Sequence, residues 1–316
     1  MSSQVNRVQS KHFRLKQLAD GVYTAIHRDG GWLTCNAGIV DLGDRTIVFD
    51  TGLTPQAARD LQVAAKALTG RTPDYVVNSH YHNDHIRGNQ VFTKAIVVST
   101  SRTRELIATK GHEELESDRK QAPESLATMK TWVKSKDAKK REEASIWLPY
   151  WQGILASLPK IRLCLPDLTF KDQLTFHGTR RIAHLIAVGS GHTESDCVLF
   201  LPQEKIVFCS DLLFVGFHPY LGDGDAEALL SVSDKLKKLE AKIYVPGHGK
   251  VGMKEDLDKM QLYVRTLMQQ VQEAVAEGKT VEDVVKQPIP KPFIQWIFAM
   301  FYESNLRFLY DRLVKD

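Results

Sequence analysis

The stretch "SHYHNDHIRGN" (residues 79–89) sets three histidines, His80, His82 and His85, and the carboxylate of Asp84 within six residues, directly after the apolar run "DYVV". Imidazole and carboxylate are the donors that suit zinc and related divalent ions. On an extended chain alternate side chains point the same way, so His80 and His82 can share one ion. Asp84 and His85 lie beyond the bend and can reach a second. A histidine-rich polar turn would use the same letters, but the two readings differ in what they require elsewhere. Half a metal site demands more donors, also at strand ends, and these are present. "GSGHTESD" puts His192 just after the apolar run "LIAV", "KIVFCSD" ends on Asp211, and "IYVPGHG" brings in His248. Glycine or a strand terminus flanks each one, where a side chain can turn into a cleft. The scattered His12, His27, His112, His177 and His184 lie outside this pattern and read as ordinary core or surface residues.

Outward from the histidines, the pattern is that of an α/β protein. Upstream, "VYTAI", "AGIV" and "TIVFD" are short β-branched runs, and "LGDR" between the last two is a hairpin signal. The period then changes. Thr54 suits a helix N-cap, Pro55 the first turn, and Ala57, Ala58, Leu61, Ala64, Ala65 and Leu68 fall on one helical face that should pack on a sheet. "DYVVNS" and "AIVVST" read as further strands. Residues 101–158 lack strand patterns and read as a helical insertion, a lid or wall beside the site. Within it "KSKDAKKREE" reads as a solvated face and "IWLPYWQGIL" as the part that docks. Strands resume with "LTFKDQLTF", "RRIAHLIAV", "CVLFLP" and "KIVFCSD". The helix "DAEALLSVSDKLKKLE" and the strand "KIYV" follow, and the remainder is mostly helical. Two strand-rich blocks with helices predict a sheet-on-sheet core with helices outside. The end, "FIQWIFAMFYESNLRFLYDRLV", is apolar enough that it must cover the domain's own sheet or a second subunit, so a homodimer through these helices is an expectation.

Composition narrows the function classes. A chain of 316 residues can bury one large core or two smaller ones. A formal charge of +4 makes no case for nucleic acid. Cys35, Cys164, Cys197 and Cys209 form no C-x-x-C pair and read as buried thiols of a reducing compartment. "MSSQVNRVQSKHF" has no apolar core of a signal peptide, and no run approaches the ~20 apolar residues of a membrane span. The expectation is a soluble, cytoplasmic protein. "GHGKVG" fits G-x-G-x-x-G after a strand, but no ribose-binding acid follows, and no G-x-S-x-G elbow is present.

The ordered set H-x-H-x-D-H, His192, Asp211 and His248, with "IVFDTG", "SGHTESD" and "VPGHG", resembles the metallo-β-lactamase superfamily over roughly residues 22–249. The resemblance implies a four-layer αβ/βα sandwich with the site along one sheet edge. The catalytic domain would span residues 1–253 and a helical extension 254–316. Position by position, His80, His82 and His192 would hold one ion, Asp84, His85 and His248 a second, with Asp211 bridging. Asp50 would support the metal-binding loop through hydrogen bonds. The implied cofactors are two divalent ions, zinc first, with manganese or iron accepted by the same donors. The implied reaction is hydrolysis by ionised solvent, with Asp84 orienting it or relaying its proton.

Two β-lactamase classes carry cysteine where Asp211 stands. The resemblance therefore favours glyoxalase- or lactonase-like hydrolysis of a small ester, thioester, lactone or amide over β-lactamase or nuclease activity. Cys209, two residues earlier, is expected to point the same way as Asp211 without binding. "DLLFVGFHPYLGDGD" resembles a branch near the glyoxalase II and sulfur-oxidation-linked subgroups. An iron-dependent, persulfide dioxygenase-like enzyme is the alternative, because such enzymes retain these histidines. The partner is a small-molecule substrate, with neither nucleic acid nor membrane. His218 and Tyr220, in the loop after Asp211, and Trp32 and Asn36, in the loop before "AGIV", are the expected substrate-facing residues.

Overall fold

In the computed structural model, which describes residues 8–315, the strands form two sheets. The first seven residues of the amino-terminal stretch, and Asp316 at the end of the expected extension, lie outside the described residues. β1 (Phe13–Ala19), β2 (Val22–His27), β3 (Ala37–Asp41), β4 (Thr46–Phe49), β5 (Tyr75–Val77), β6 (Ile96–Thr100) and β7 (Leu168–Phe170) cross the first sheet in that order. Pairing is antiparallel up to β4 and parallel beyond it. The second sheet contains β8 (Gln173–His177), β9 (Ile182–Gly189), β10 (Asp196–Leu201), β11 (Ile206–Val215) and β12 (Ile243–Gly249), with only β11 and β12 parallel.

Strand alternation sorts the apolar residues into layers. Val40, Ile47, Phe49, Val77 and Val98 face the second sheet and meet Leu185, Leu199, Ile206 and Phe208. Their neighbours Ile39, Val48, Val76 and Val97 point outward and meet α1 (Pro55–Thr69). Gly38 lets the sheets close, because a Cβ there would lie 2.7 Å from the Phe208 ring. α1 forms as its sequence predicts. Thr54 Oγ1 accepts from Ala57 N at 3.2 Å, all six apolar face residues are buried, and Gly70 ends the helix at φ +77°.

The outer face of the second sheet is covered by α6 (Ala226–Lys237), α7 (Lys254–Ala276) and, after the one-turn α8 (Val281–Val284), α9 (Met300–Lys315); α6, α7 and α9 share one buried cluster with Leu213 and Tyr244 of the strands. The result is helix, sheet, sheet, helix, the four-layer sandwich expected. The apolar C-terminal segment covers the protein's own sheet through Tyr302, Leu306 and Leu309. α2 (Asn83–Ile86) is the single turn that carries Asp84 and His85. The insertion is helical as read: α3 (Ser101–Leu106), a π turn, α4 (His112–Trp132) and α5 (Ala138–Ser157). No helix among the described residues is long and apolar enough to cross a membrane.

Three expectations are corrected here. An edge strand, β1, precedes the first predicted strand; Arg14 and Lys16 on its open side hide it from a search for apolar runs. β11 does not end at Asp211 but continues to Val215, past a left-handed Ser210 (φ 50°) where its register with β12 shifts. That kink breaks the alternation. Cys209 therefore packs outward into the apolar cluster beneath α7, while Asp211 turns into the site, so the two do not point the same way.

Candidate metal centre

Each donor is delivered by the end or the bend of a strand. Asp50 follows β4 directly, fully buried and left-handed at φ 59°. His80 follows β5, and the turn of α2 starts at once, with His85 N donating to His82 O at 3.1 Å. His192 lies in the loop after β9, Asp211 at the kink of β11, and His248 on β12 opposite Phe214. Gly247 passes so close that a Cβ would lie 1.7 Å from Asp211 Oδ1, so no larger residue fits beside that carboxylate.

The donors form two sets that share Asp211. His82 Nδ1 lies 3.1 Å from His80 Nε2 and 3.0 Å from His192 Nε2. Asp211 Oδ2 lies 3.3 Å from His192 Nε2 and 4.0 Å from His80 Nε2. In the second set, Asp211 Oδ1 is 3.2 Å from His85 Nε2 and Oδ2 is 3.4 Å from His248 Nε2. Asp84 spans this set, with Oδ1 3.6 Å from His85 Nε2 and Oδ2 3.6 Å from His248 Nε2. Metal–ligand bonds of ~2.0–2.1 Å in a tetrahedron place neighbouring donor atoms about 3.3 Å apart. Seven of the eight spacings lie within about 0.3 Å of that edge, and the His80–Asp211 pair at 4.0 Å is wider.

Other observations agree with the fit. His85 Nε2 and Asp211 Oδ1 are buried without a hydrogen-bond partner, as atoms reserved for a ligand would be. Burial holds His80 well below the usual histidine range and takes His192 down to about 3, which keeps both rings in the neutral form a cation requires. Burial also opposes charge on His85 and His248. For His85 the neighbouring Cys35 and carboxylates of Asp211, Asp84 and Asp50 outweigh it, for His248 those of Asp211 and Asp84, and both rings are raised. A pocket with this much buried carboxylate demands positive charge, from protons or from divalent ions. Cys35 also lies beside Asp84 and His85, but burial pushes its thiol up to about 12 and its Sγ donates to Asp84 O at 2.9 Å. It is the poorer donor, and His248 completes the set.

A buried network orients these rings. Asp50 Oδ1 accepts from Ser79 N at 2.9 Å, and Oδ2 takes Ser79 Oγ at 2.8 Å, Ser210 Oγ at 2.9 Å and His85 Nδ1 at 2.9 Å. Ser79 Oγ also lies 2.9 Å from His80 Nδ1. Asp223 Oδ2 holds His82 Nε2 at 2.9 Å, leaving Nδ1 for the cluster. A carboxylate behind a ligating histidine fixes its tautomer and raises its basicity.

The seven residues expected as ligands come together, and Asp50 stands behind them. The substrate-facing expectations divide. Tyr220 lines the cleft, its ring 6.1 Å from that of His82. Asn36 does not: its Oδ1 accepts from His27 N at 3.1 Å, and its Nδ2 donates at 2.9 Å to the carbonyls of Pro246 and Gly249, tying the two sheets together. Trp32 stacks on His12 at 5.4 Å, outside the cleft. His218 is fully buried, with Nδ1 3.0 Å from Tyr263 Oη and Trp296 at its edge. In each case a neighbour distant in sequence claims the polar atoms or the ring face.

Other residues of the cleft escaped the sequence reading. His27 borders it, its ring 5.9 Å from His248. Burial, with His248 beside it, takes His27 down to about 3, and its Nε2 accepts from Gly249 N at 3.4 Å. Asp223 reads as a turn residue in "GDGD". Glu114 sits in a charged helix, where burial raises its carboxyl to about 7. Trp147 and Phe298 come from segments far apart in the chain. The cleft they enclose has a volume of about 600 Å³.

Two face-to-face sheets flanked by helices, with a histidine–aspartate cluster along one edge, define a metal-site α/β sandwich. The family model of the metallo-β-lactamase superfamily matches residues 30–248, and the chain belongs to that superfamily, most of whose members are metal-dependent hydrolases. A beta-lactamase-like protein 2 homolog of Caenorhabditis elegans is 21% identical over 96% of this chain and 87% of its own. A metallo-β-lactamase from Pontibacter korlensis shares the fold with TM-score 0.58 and 18% identity, over 80% of this chain and 99% of its own. The metallo-β-lactamase FIM-1 from Pseudomonas aeruginosa, solved in a mono-zinc form, gives TM-score 0.56 and 15% identity over 80% and 95%.

Proposed function

We propose that this protein is a dinuclear metal-dependent hydrolase of a small ester, thioester, lactone or amide. The observation that carries the proposal is Asp211: one buried carboxylate within 3.2–3.4 Å of His85, His192 and His248, set between two groups of imidazoles. His80, His82, His192 and Asp211 would hold one divalent ion, and Asp84, His85, His248 and Asp211 the other. Ions there supply Lewis acidity toward a carbonyl oxygen and ionise water near neutral pH.

The chain's own groups do the rest. Asp84 is the ligand carboxylate most open to the cleft, and it holds or passes the proton that must reach the leaving group. Tyr220 lines the same cleft beside His82. Asp50 and Asp223 keep His85 and His82 in the required tautomers. A side-chain nucleophile is unnecessary.

The test is a panel of chromogenic esters, lactones, thioesters, phosphodiesters and a cephalosporin, assayed at defined metal loading. Turnover of the carboxylic substrates that rises with bound zinc is the expected result. Two bound equivalents with no turnover across the panel would overturn the reading. Metal content and visible absorbance after purification separate it from iron-dependent sulfur chemistry, because zinc is silent.

A further inference from the structure

The cleft above the metal donors has a marked chemical character. Its roof is aromatic and comes from α5 of the insertion and from the chain entering α9 together with that helix's first turn. Trp147 meets Tyr150 at 5.2 Å, Phe298 at 6.2 Å and Phe301 at 6.3 Å between ring centroids, and Phe301 meets Tyr220 at 5.5 Å. Offset and edge-on rings at these spacings form a continuous apolar wall. Phe298 holds it in a left-handed conformation (φ 65°), which a bulky side chain adopts only where surrounding packing imposes it. That wall reaches the donors, since Phe298 lies 6.4 Å from His248.

The charges in the cleft are one-sided. Apart from the metal donors, Asp29, Glu114, Glu142 and Asp223 border it, against one cationic side chain, Arg28, among the described residues. Arg28, Asp29 and Glu142 are exposed at the rim, which leaves only carboxylates inside. Asp223 is committed to His82, whereas Glu114 Oε2 is buried with no hydrogen-bond partner. Away from the donors the cleft therefore offers an apolar group rings to pack on, and no basic side chain inside it for a charged tail.

Resting on the hydrolase reading above, we propose that the substrate carries a bulky aromatic or long alkyl group held by the Trp147–Phe298–Phe301 wall, in preference to a tail that ends in a charge.

The test uses the zinc-reconstituted full chain and three 4-nitrophenyl esters: the acetate, the 4-phenylbutanoate and the hydrogen adipate, whose acyl chain ends in a carboxylate. Hydroxamates with phenylpropyl and carboxyalkyl tails give a binding readout by calorimetry that needs no turnover. Relative to spontaneous hydrolysis, kcat/KM should be at least tenfold higher for the phenylbutanoate than for the acetate, and at least tenfold lower for the adipate than for the phenylbutanoate. The phenylpropyl hydroxamate should bind at least tenfold more tightly than the carboxyalkyl one. Trp147→Ala should narrow the aryl preference severalfold. Should that variant fail to fold, the wild-type ratios decide. Zinc uptake and ester turnover with the adipate and carboxyalkyl ligands equal or preferred would overturn this inference and leave the hydrolase reading standing. Absence of zinc uptake, turnover and hydroxamate binding would overturn both.

Discussion

Replacing Asp50 by asparagine isolates what the buried carboxylate does for the metal centre. The backbone should not object, because asparagine tolerates φ 59° as well as aspartate does. The shape is also unchanged. What changes is that one of two oxygens becomes an NH2 group. If the remaining oxygen stays where it serves Ser79 Oγ, Ser210 Oγ and His85 Nδ1, the new amide points at Ser79 N, 2.9 Å away, donor against donor. The serine hydroxyls can turn; the backbone N–H cannot. One buried unsatisfied donor costs ~1–3 kcal/mol, which lowers the melting temperature of the metal-free protein.

The effect on metal is separate. His85 loses its anionic partner, and loss of such a partner typically weakens metal binding ~10–100-fold. The loss should be uneven. Asp50 touches His85 directly but reaches His80 only through Ser79 Oγ. Zinc titrated against a chromophoric chelator should show two equivalents in the wild type. In the variant, one should be weakened ~10–100-fold and the other only a few-fold. Two equivalents of unchanged affinity in a folded Asp50→Asn protein would refute the argument.

Other outcomes follow from single contacts. His82→Ala should lose metal and turnover together while circular dichroism stays unchanged; unchanged turnover would contradict the ligand assignment. Gly247→Ala pushes a methyl group into Asp211 Oδ1 and should reduce bound metal sharply in a protein that remains folded, as read by elemental analysis. His218 is fully buried and burial takes it down to about 4, so the unfolded chain takes up its proton first as pH falls. Stability from this residue is present above ~6.5 and lost toward pH 4, by at most ~3 kcal/mol. His218→Gln should flatten that part of the pH dependence in urea unfolding of the metal-free protein. Thr54→Ala should cost ~1 kcal/mol through the lost cap of α1, measured by the same titration.

The parts of this molecule legible in the sequence share a cause. α1 is encoded within its own fifteen residues by a cap, a proline and a 3.6-residue apolar period, and those same residues are the buried ones. Most of the clustered donors are legible for a related reason: His80, His82 and His192 follow their own strands and His248 lies near the end of β12, so the letters that place them lie beside them. The errors also share a cause. The run "KIVFCSD" carries no sign that β11 goes on past Asp211, because its continuation depends on a kink at Ser210, whose hydroxyl is held by Asp50, 160 residues away in sequence. Asn36 and His218 carry the letters of substrate contacts, but partners across the sandwich consume their polar atoms. Asp223 is the converse, a turn residue recruited by His82 at a separation of 141 residues.

The same division separates the two halves of the cleft. The half that carries the clustered histidines and aspartates is built on strand ends and bends, where motifs are legible. The half facing the substrate is roofed by an insertion and a C-terminal segment whose meeting at Trp147 and Phe298 depends on how helices pack, and no local period encodes that. Substitutions in the roof can therefore alter which substrates enter without moving any donor. Motif-level likeness to β-lactamases consequently bears on the chemistry of the floor, and the choice of substrate has to be argued from the roof.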